Sequence, residues 1–296
     1  MSKTWLVLDV NYLAHRAMHT TGKLKWAGQA TGVTYGLFRD IIQMQEQFGA
    51  DHIVFCFDHG RGIRKTMLKE YKSEREKKKK KWTPEQVQAY KLLEKEIGLL
   101  KEMYLPFVGY ENILYQDGYE ADDHIGQFCK THTNIGDIVV VTADKDMYQV
   151  LREGVIIYNP TSKQVTTMDS FYKDWKLNPK KWTSIKAIAG CATDQVPGIP
   201  GVGEKTAAKY LRGEMTDKDA KANAKIDDWI FNGGFDKSKE LVTLPLDGCD
   251  THTPIEDEID PKRWKKFCAK LGMKSLIDKI PGFGFGIAKG TIRRAK

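Results

Sequence analysis

The acidic residues of this sequence sit where chemistry could use them. The apolar run Trp5–Leu8 ends in Asp9, and Ile53–Phe57 ends in Asp58. A third run, Ile138–Val141, leads through Thr142 and Ala143 to Asp144 and Asp146. A fourth group, Glu120-Ala121-Asp122-Asp123, opens a helix-like stretch. One aspartate after a strand is ordinarily a cap or turn residue, and acids in a first helical turn are favoured by the helix dipole. Seven carboxylates gathered together are another matter. They would repel one another, and some would stay protonated unless divalent cations lay between them. Hard oxygen ligands with few His or Cys nearby suit Mg²⁺ or Mn²⁺. Two such ions a few ångströms apart serve in-line attack at phosphorus, one activating water and the other steadying the leaving oxygen. His15, His19, His52, His59, His124, His132 and His252 show no metal-ligand spacing. No nucleophile elbow or H-E-x-x-H helix competes for the catalytic role.

The elements that must position these acids are legible in the apolar pattern. The three runs are short, rich in Val, Ile and Phe, and separated by helix-like sequence, as in buried parallel strands. In Gly32–Phe48, Leu37, Ile41, Met44 and Phe48 fall on one helical face. Such alternation predicts an α/β fold: a mostly parallel central sheet with helices on both faces. The carboxyl ends of parallel strands share one sheet edge, so the strand-end acids would line one crevice there. Thr83-Pro84-Glu85-Gln86 predicts a helix start with a capping box, followed by an apolar stripe of Tyr90, Leu93, Ile97 and Leu100. From about Asn178 the pattern is mostly helical, which predicts a smaller second domain.

Charge narrows the partner. The chain has 47 Lys+Arg against 39 Asp+Glu, a net of +8. Residues 61–81 hold 11 of the basic residues and 3 of the acidic ones, so this one segment carries the whole excess. That argues for a single localised polyanion contact through Arg61, Arg64, Lys65, Lys69, Lys72, Arg75, Lys77 and Lys78. The 296 residues suffice for one large domain with a smaller companion, and 41% hydrophobic with 29% charged residues is globular composition. No apolar run approaches the roughly 20 residues of a membrane helix, and the N-terminal run is too short for a signal peptide. The five scattered cysteines form no C-x-x-C pair and predict reduced thiols in a cytoplasmic setting.

A glycine-rich turn, Gly198-Ile-Pro-Gly201-Val-Gly203-Glu204-Lys205-Thr206, lies between helix-like Trp182–Ala189 and Glu204–Leu211. Glu204 spoils a P-loop match and no strand leads in. A helix–hairpin–helix fits better. Its glycines would let backbone N–H groups approach a phosphate at a helix N-terminus, with charge added by Lys205.

In this order and spacing the motifs resemble the 5′ nucleases: bacteriophage flap endonucleases and 5′–3′ exonucleases, and the N-terminal nuclease domain of bacterial DNA polymerase I. The resemblance runs from Asp9 to about Leu211. It is carried by Leu8-Asp9-Val10-Asn11, Phe57-Asp58, Arg64, Tyr71-Lys72-Ser73-Glu74-Arg75, Glu120-Ala121-Asp122-Asp123, Thr142-Ala143-Asp144-Lys145-Asp146 and Gly190 to Lys205. It implies that Asp9, Asp58, Glu120, Asp122 and Asp123 surround one metal while Asp144, Asp146 and Asp194 serve a second. Lys72 and Arg64 would reach the scissile phosphate, and Tyr71 would stack on a terminal base. The basic run and the following helix would form an arch over a 5′ single strand. The hairpin, through Gly198, Gly201, Gly203, Lys205 and Thr206, would hold duplex DNA, with a K⁺ ion bound by its carbonyls. The implied substrates are DNA with a 5′ single-stranded end or flap, duplex DNA and RNA·DNA hybrids. The implied setting is a monomer in primer removal or repair, alongside single-strand binding protein, clamp or polymerase, in a host cytoplasm for a phage protein.

The implied organisation is a catalytic domain over 1–168 with an arch at about 61–105. A helical domain follows over 169–280, with the hairpin element at about 182–212, and then a Gly/Phe and basic tail over 281–296. Two features depart from the pattern. Cys191 stands where the family has an aspartate, so the second metal is expected to be held more weakly or through water alone. The Lys77–Lys81 run exceeds what the motif needs and is expected to be a solvated charge run, disordered until DNA arrives. A PIN-type ribonuclease would lack the arch and the hairpin. In a non-catalytic branched-DNA binding protein the acid set would repel its ligand.

Overall fold

The fold was read from a computed structural model, which describes residues 3–60 and 62–282. Arg61 and the tail from residue 283, with Arg293 and Arg294, lie outside the described residues.

Strand β1 (Thr4–Asp9) is the centre of the sheet. It leads into α1 (Val10–Thr20), a small hairpin of β2 (Lys25–Trp26) and β3 (Gln29–Ala30), and α2 (Gly32–Phe48). Strand β4 (His52–Cys56) pairs parallel with one side of β1. The chain then runs through α3 (Gly62–Met67), α4 (Ser73–Lys79) and α5 (Pro84–Leu99), where the basic segment lies. A widened turn at Leu100–Tyr104, in which Leu105 N–H reaches back to Leu100 O, passes into α6 (Leu105–Val108). Short β5 (Ile113–Leu114) extends the sheet beyond β4. After α7 (Ala121–Thr131), β6 (Asp137–Val141) pairs parallel with the other side of β1. β7 (Val155–Asn159) pairs parallel with β6, and β8 (Gln164–Thr166) is the antiparallel edge. The order is β5-β4-β1-β6-β7-β8, the mostly parallel sheet that the alternation of apolar runs predicts.

Period-two alternation divides the core. In β1, Leu6 and Leu8 face one cluster with Leu37, Phe38 and Ile41 of α2, while Trp5 and Val7 face another with Ile125 and Phe128 of α7. Helices therefore cover both faces. The remaining helices are α8 (Met168–Trp175), α9 (Trp182–Ala189), α10 (Glu204–Leu211), α11 (Ala220–Phe231), α12 (Gly234–Val242) and α13 (Pro261–Lys270). Trp182, Ile185 and Ile188 of α9 join the α7 side of the core. From the far end of the chain, Trp264 and Phe267 of α13 meet Phe38 edge-on at 5.2 and 5.3 Å.

The capping box at Thr83 and Gln86 forms, with Pro84 in the first turn of α5. The helix over residues 73–79 takes in Lys77, Lys78 and Lys79. Lys77 pairs with Glu74 at 2.6 Å, and Lys79 Nζ lies 3.8 Å from the Tyr90 ring centroid. Local i,i+3 pairing and a cation–π contact offset the like-charge repulsion that favours disorder.

Candidate active site

β1 lies between β4 and β6, so their carboxyl ends open side by side. Asp9 closes β1 and caps α1, its Oδ1 accepting from Tyr12 N–H at 2.9 Å. Its Oδ2 accepts from the Thr142 hydroxyl, just past β6, at 3.2 Å. Asp58, after β4, accepts from Ala121 N–H at 2.9 Å through Oδ1, and its own N–H donates to Asn11 Oδ1 at 3.1 Å. Asp144 accepts from Asp146 N–H at 2.7 Å. These acids are thus both caps and members of one constellation.

Glu120 precedes α7 and is 5% exposed. It gathers the groups of the basic segment. Lys72 Nζ donates to Glu120 Oε1 at 2.7 Å and the Tyr71 hydroxyl donates to Oε2 at 2.8 Å. Lys72 takes a left-handed backbone conformation, φ +53°, at the start of α4, which turns the chain over the cleft. Glu120, Asp122, Asp146, Asp194, Arg64 and Tyr71 line one cleft.

Burial and mutual repulsion change the acids. Asp9 is raised to about 7, by burial first and then by the charge of Asp58. Asp122 is pushed well up by burial and by Asp144 and Asp9. Asp146 rises to about 6 from burial and the charge of Asp144. Burial opposes the Lys72 charge, but Glu120 and Asp194 outweigh it and hold the ammonium protonated. Lys72 and Arg64 at Glu120, Arg75 at Asp194 and Lys186 at Asp146 are still fewer than the carboxylates gathered here, so the donor set fits divalent cations.

Three expected positions differ from the sequence reading. Asp123 is fully buried. Arg64 Nη1 and Nη2 donate to its two oxygens at 2.6 and 2.8 Å, and the backbone N–H groups of Glu120 and Leu246 donate to it at 3.0 Å each. Its carboxylate is taken up by the protein, so it is not presented to the cleft as a metal ligand. Arg64 is 2% exposed and also donates from Nε to Leu241 O at 3.0 Å, which ties α3 to α7 and α12. The Tyr71 ring packs against Cys191, Val196, Leu241 and Val242, so it is not laid open for a base to stack on. In each case a partner from a distant segment claims the side chain.

Lys65, Lys69, Arg75 and Lys78 do not line the cleft, although Arg75 reaches its rim through Asp194. Lys65 is exposed and pairs with Glu76 at 2.9 Å, and Lys69 and Lys78 are also exposed. Arg75 Nη2 donates to Asp194 Oδ1 at 2.7 Å, linking α4 to the turn after α9. In that turn Gln195 Oε1 accepts from Glu74 N–H at 3.1 Å, capping α4 from outside.

Helices α9 and α10 flank the glycine-rich turn as expected, with Gly203 at the start of α10. The three glycines are used differently. A Cβ on Gly198 would lie 2.3 Å from Ala189 O, so close packing demands glycine there. Gly201 has φ +83°, a conformation that favours glycine. Gly203 has neither constraint, and nothing lies within 4 Å of where its Cβ would be. Lys205 is exposed and Thr206 half-buried beside it.

Sequence reasoning missed Lys186. It is 8% exposed on α9, with Nζ 3.2 Å from Asp146 Oδ1 and 3.4 Å from Glu204 Oε1. Burial opposes its charge, but Asp146 raises its pKa well above the usual lysine value. It joins the acidic edge to the first residue of α10. A lysine amid apolar Ile185, Ala187 and Ile188 was the available signal.

Comparison with known proteins agrees with this architecture. The family model described as 5′-3′ exonuclease, N-terminal resolvase-like domain, matches residues 4–176. The chain belongs to the 5′-3′ exonuclease family. It is 31% identical to a 5′-3′ exonuclease of Bacillus subtilis over 66% of this chain and 64% of that protein. It is 29% identical to DNA polymerase I of Caldicellulosiruptor bescii, covering 93% of this chain but only 33% of the relative. A 5′-3′ exonuclease of Aquifex aeolicus is 29% identical, with 94% and 95% covered. The chain thus spans about a third of its polymerase relative and just under two thirds of the Bacillus protein. Among solved structures, the T5 5′-exonuclease with bound divalent zinc shares the fold at TM-score 0.68 and 20% identity, with 82% of this chain and 90% of that one covered. The Rad2 catalytic core in complex with DNA shares it at TM-score 0.58 and 15% identity, with 94% and 93% covered. Among the described residues no helix is long and apolar enough to cross a membrane.

Proposed function

We propose that this chain is a structure-specific 5′ nuclease, a flap endonuclease and 5′–3′ exonuclease that hydrolyses DNA phosphodiesters with two divalent ions. The observation that carries the reading is the gathering of acids at the sheet's carboxyl edge, where Asp9, Asp58 and Asp144 stand past the strand ends and Glu120, Asp122, Asp146 and Asp194 line one cleft. Such a set is self-repelling without cations and complementary to them. Asp9, Asp58, Glu120 and Asp122 would hold one Mg²⁺, and Asp144, Asp146 and Asp194 the other, with Mn²⁺ as a substitute. The ions when bound supply Lewis-acid polarisation of the attacking water and the leaving oxygen.

The chain's own residues do the rest. Lys72 sits on Glu120 and presents an ammonium to the cleft, where it would balance charge developing on the phosphate. Arg64 holds Asp123 and the start of α7, and so positions Glu120 and Asp122. Tyr71 fixes the Glu120 carboxylate. The basic segment of α3 to α5, with Arg61, Lys65, Lys69, Arg75, Lys77 and Lys78, would guide a 5′ strand to this edge.

The open backbone at Gly203, with Gly198, Gly201, Lys205 and Thr206, would hold duplex phosphates, and a K⁺ ion at the hairpin carbonyls fits that role. The division we propose is a catalytic unit over 1–168, a helical unit over 169–280 and a tail over 281–296. RNA·DNA hybrids are the further substrate class. We place the protein in the cytoplasm as a monomer in primer removal or repair, working with single-strand binding protein, clamp or polymerase. The test is a 5′-flap duplex incubated with the purified protein: cleavage near the junction in Mg²⁺ and none in EDTA supports the reading, and no cleavage in Mg²⁺ or Mn²⁺ overturns it.

A further inference from the structure

We propose that Cys191 makes the second ion position a mixed thiolate–carboxylate site that holds a thiophilic divalent cation, such as Co²⁺, Zn²⁺ or Cd²⁺, more tightly than Mg²⁺. The inference rests on the two-ion reading. One ligand atom from each of Asp146, Cys191 and Asp194 lies within 4.8 Å of the others, the one such group among the described residues. Cys191 Sγ is 3.8 Å from Asp194 Oδ2. An ion at ~2.3 Å from sulfur and ~2.1 Å from oxygen is reached with small side-chain shifts. Asp146 is half-buried, and the partner of its buried Oδ1 is the Lys186 ammonium at 3.2 Å, which an ion at this position would displace.

The turn that carries Cys191 is fixed. Cys191 and Val196 exchange backbone hydrogen bonds at 3.1 and 3.0 Å, and Asp194 N–H donates back to Cys191 O at 3.2 Å. Gly190 and Gly198 then pack backbone to backbone, so a Cβ on Gly198 would lie 2.4 Å from Gly190 N. The backbone that carries the thiol and the Asp194 carboxylate is therefore held in place. Cys56 and Cys129 lie in the apolar core under α7, and Cys268 in the core with Trp264. Cys249 packs with Tyr119 and Leu246. Among the described residues, none of these four belongs to a group of three ligand atoms within 4.8 Å of one another.

Sulfur discriminates among cations. Mg²⁺ takes oxygen ligands and gains nothing from a thiol, so it would rest on Asp144, Asp146, Asp194 and water. A softer ion gains the sulfur, and the thiol proton goes to solvent on binding. Lys186 lies against Asp146 and competes for it. Glu204, 3.4 Å from the same ammonium, offers it an alternative partner.

The test is titration of the metal-free protein with Co²⁺ and Cd²⁺, followed by thiolate-to-metal charge-transfer absorption. Cys191→Ser, Cys191→Asp and Asp194→Asn are run beside it, with circular dichroism as the check on folding. A band saturating at one ion per chain is expected, absent in both Cys191 variants. Cd²⁺ affinity should fall about tenfold or more in Cys191→Ser and in Asp194→Asn, at least the effect of losing an outer-shell partner. Mg²⁺ affinity should rise in Cys191→Asp. No band in the wild-type protein, a band that survives in folded Cys191 variants, or Cd²⁺ affinity indifferent to Asp194→Asn each overturns the site. Flap cleavage in Mg²⁺, measured on the same protein, is read separately. A band without cleavage sinks the nuclease reading and keeps the thiolate site, and cleavage without a band does the reverse.

Discussion

Arg64 grips Asp123 with both terminal nitrogens, at 2.6 and 2.8 Å, and neither residue is more than 2% exposed. The pair stands at the wall of the acidic cleft, which Arg64 helps to line. It joins α3, which opens the basic segment, to the first turn of α7, which carries Glu120 and Asp122. An apparent ligand and an apparent phosphate contact are here one structural clamp.

Breaking that clamp should cost stability. Asp123→Asn leaves the buried Arg64 charge with only the longer 3.4 Å contact to Glu120, and the expected loss is about 3–5 kcal/mol. Thermal unfolding in excess Mg²⁺ checks it. The melting temperature should stay depressed at all Mg²⁺ concentrations. Full recovery at high Mg²⁺ would instead make Asp123 a metal ligand.

Lys72 should matter to chemistry more than to binding. Lys72→Met removes the one ammonium that Glu120 holds at the cleft. A single-turnover cleavage rate lower by on the order of 10²-fold or more is expected. Duplex affinity measured in Ca²⁺ should change far less. An unchanged single-turnover rate would remove Lys72 from the reacting phosphate.

Stability and pH should be linked through the cleft. Asp9 at about 7 and Asp146 at about 6 bind protons more tightly when folded than unfolded. Their contribution is therefore full below the ordinary aspartate range and is lost as pH rises through 6 to 7. Mg²⁺ competes with those protons, so the rise in melting temperature on adding Mg²⁺ should grow between about pH 5 and 8. Taking the difference with and without Mg²⁺ cancels groups away from the cleft, such as His52 and His124, whose pKa burial lowers. A pH-independent Mg²⁺ effect would mean that these carboxylates do not hold the ion.

The lysine run should set the salt dependence of binding. Replacing Lys77 to Lys81 with glutamine should weaken flap binding. It should also flatten the salt slope, by about 0.7 for each single-strand phosphate that a lysine no longer neutralises. A slope equal to that of the wild type would leave the run as a solvated face.

Much of this site was legible in the sequence because its parts are local. An apolar run ending in aspartate is a strand end, and Asp9, Asp58 and Asp144 follow from adjacent residues alone. The capping box at Thr83 and the helices around Gly198–Gly203 are local in the same sense. What was not legible depends on residues far apart in the chain. Asp123 sits in the same short motif as Asp122, yet Arg64, 59 positions away, claims it. Tyr71 looks like a stacking residue until α12 packs Leu241 and Val242 against it. Lys186 reads as a helix residue until the fold brings Asp146 beside it. Gln195 caps a helix that begins far earlier in the chain, a pairing no local pattern encodes.

Asp146 tests the central claim most directly, in a single-turnover assay on a 5′-flap duplex in Mg²⁺. The wild-type protein should cleave near the junction, and Asp146→Asn should bind the same duplex in Ca²⁺ with little change yet show cleavage lower by on the order of 10³-fold. Cleavage by Asp146→Asn at the wild-type rate, or no Mg²⁺-dependent cleavage by the wild-type protein, would contradict a two-ion nuclease at this sheet edge.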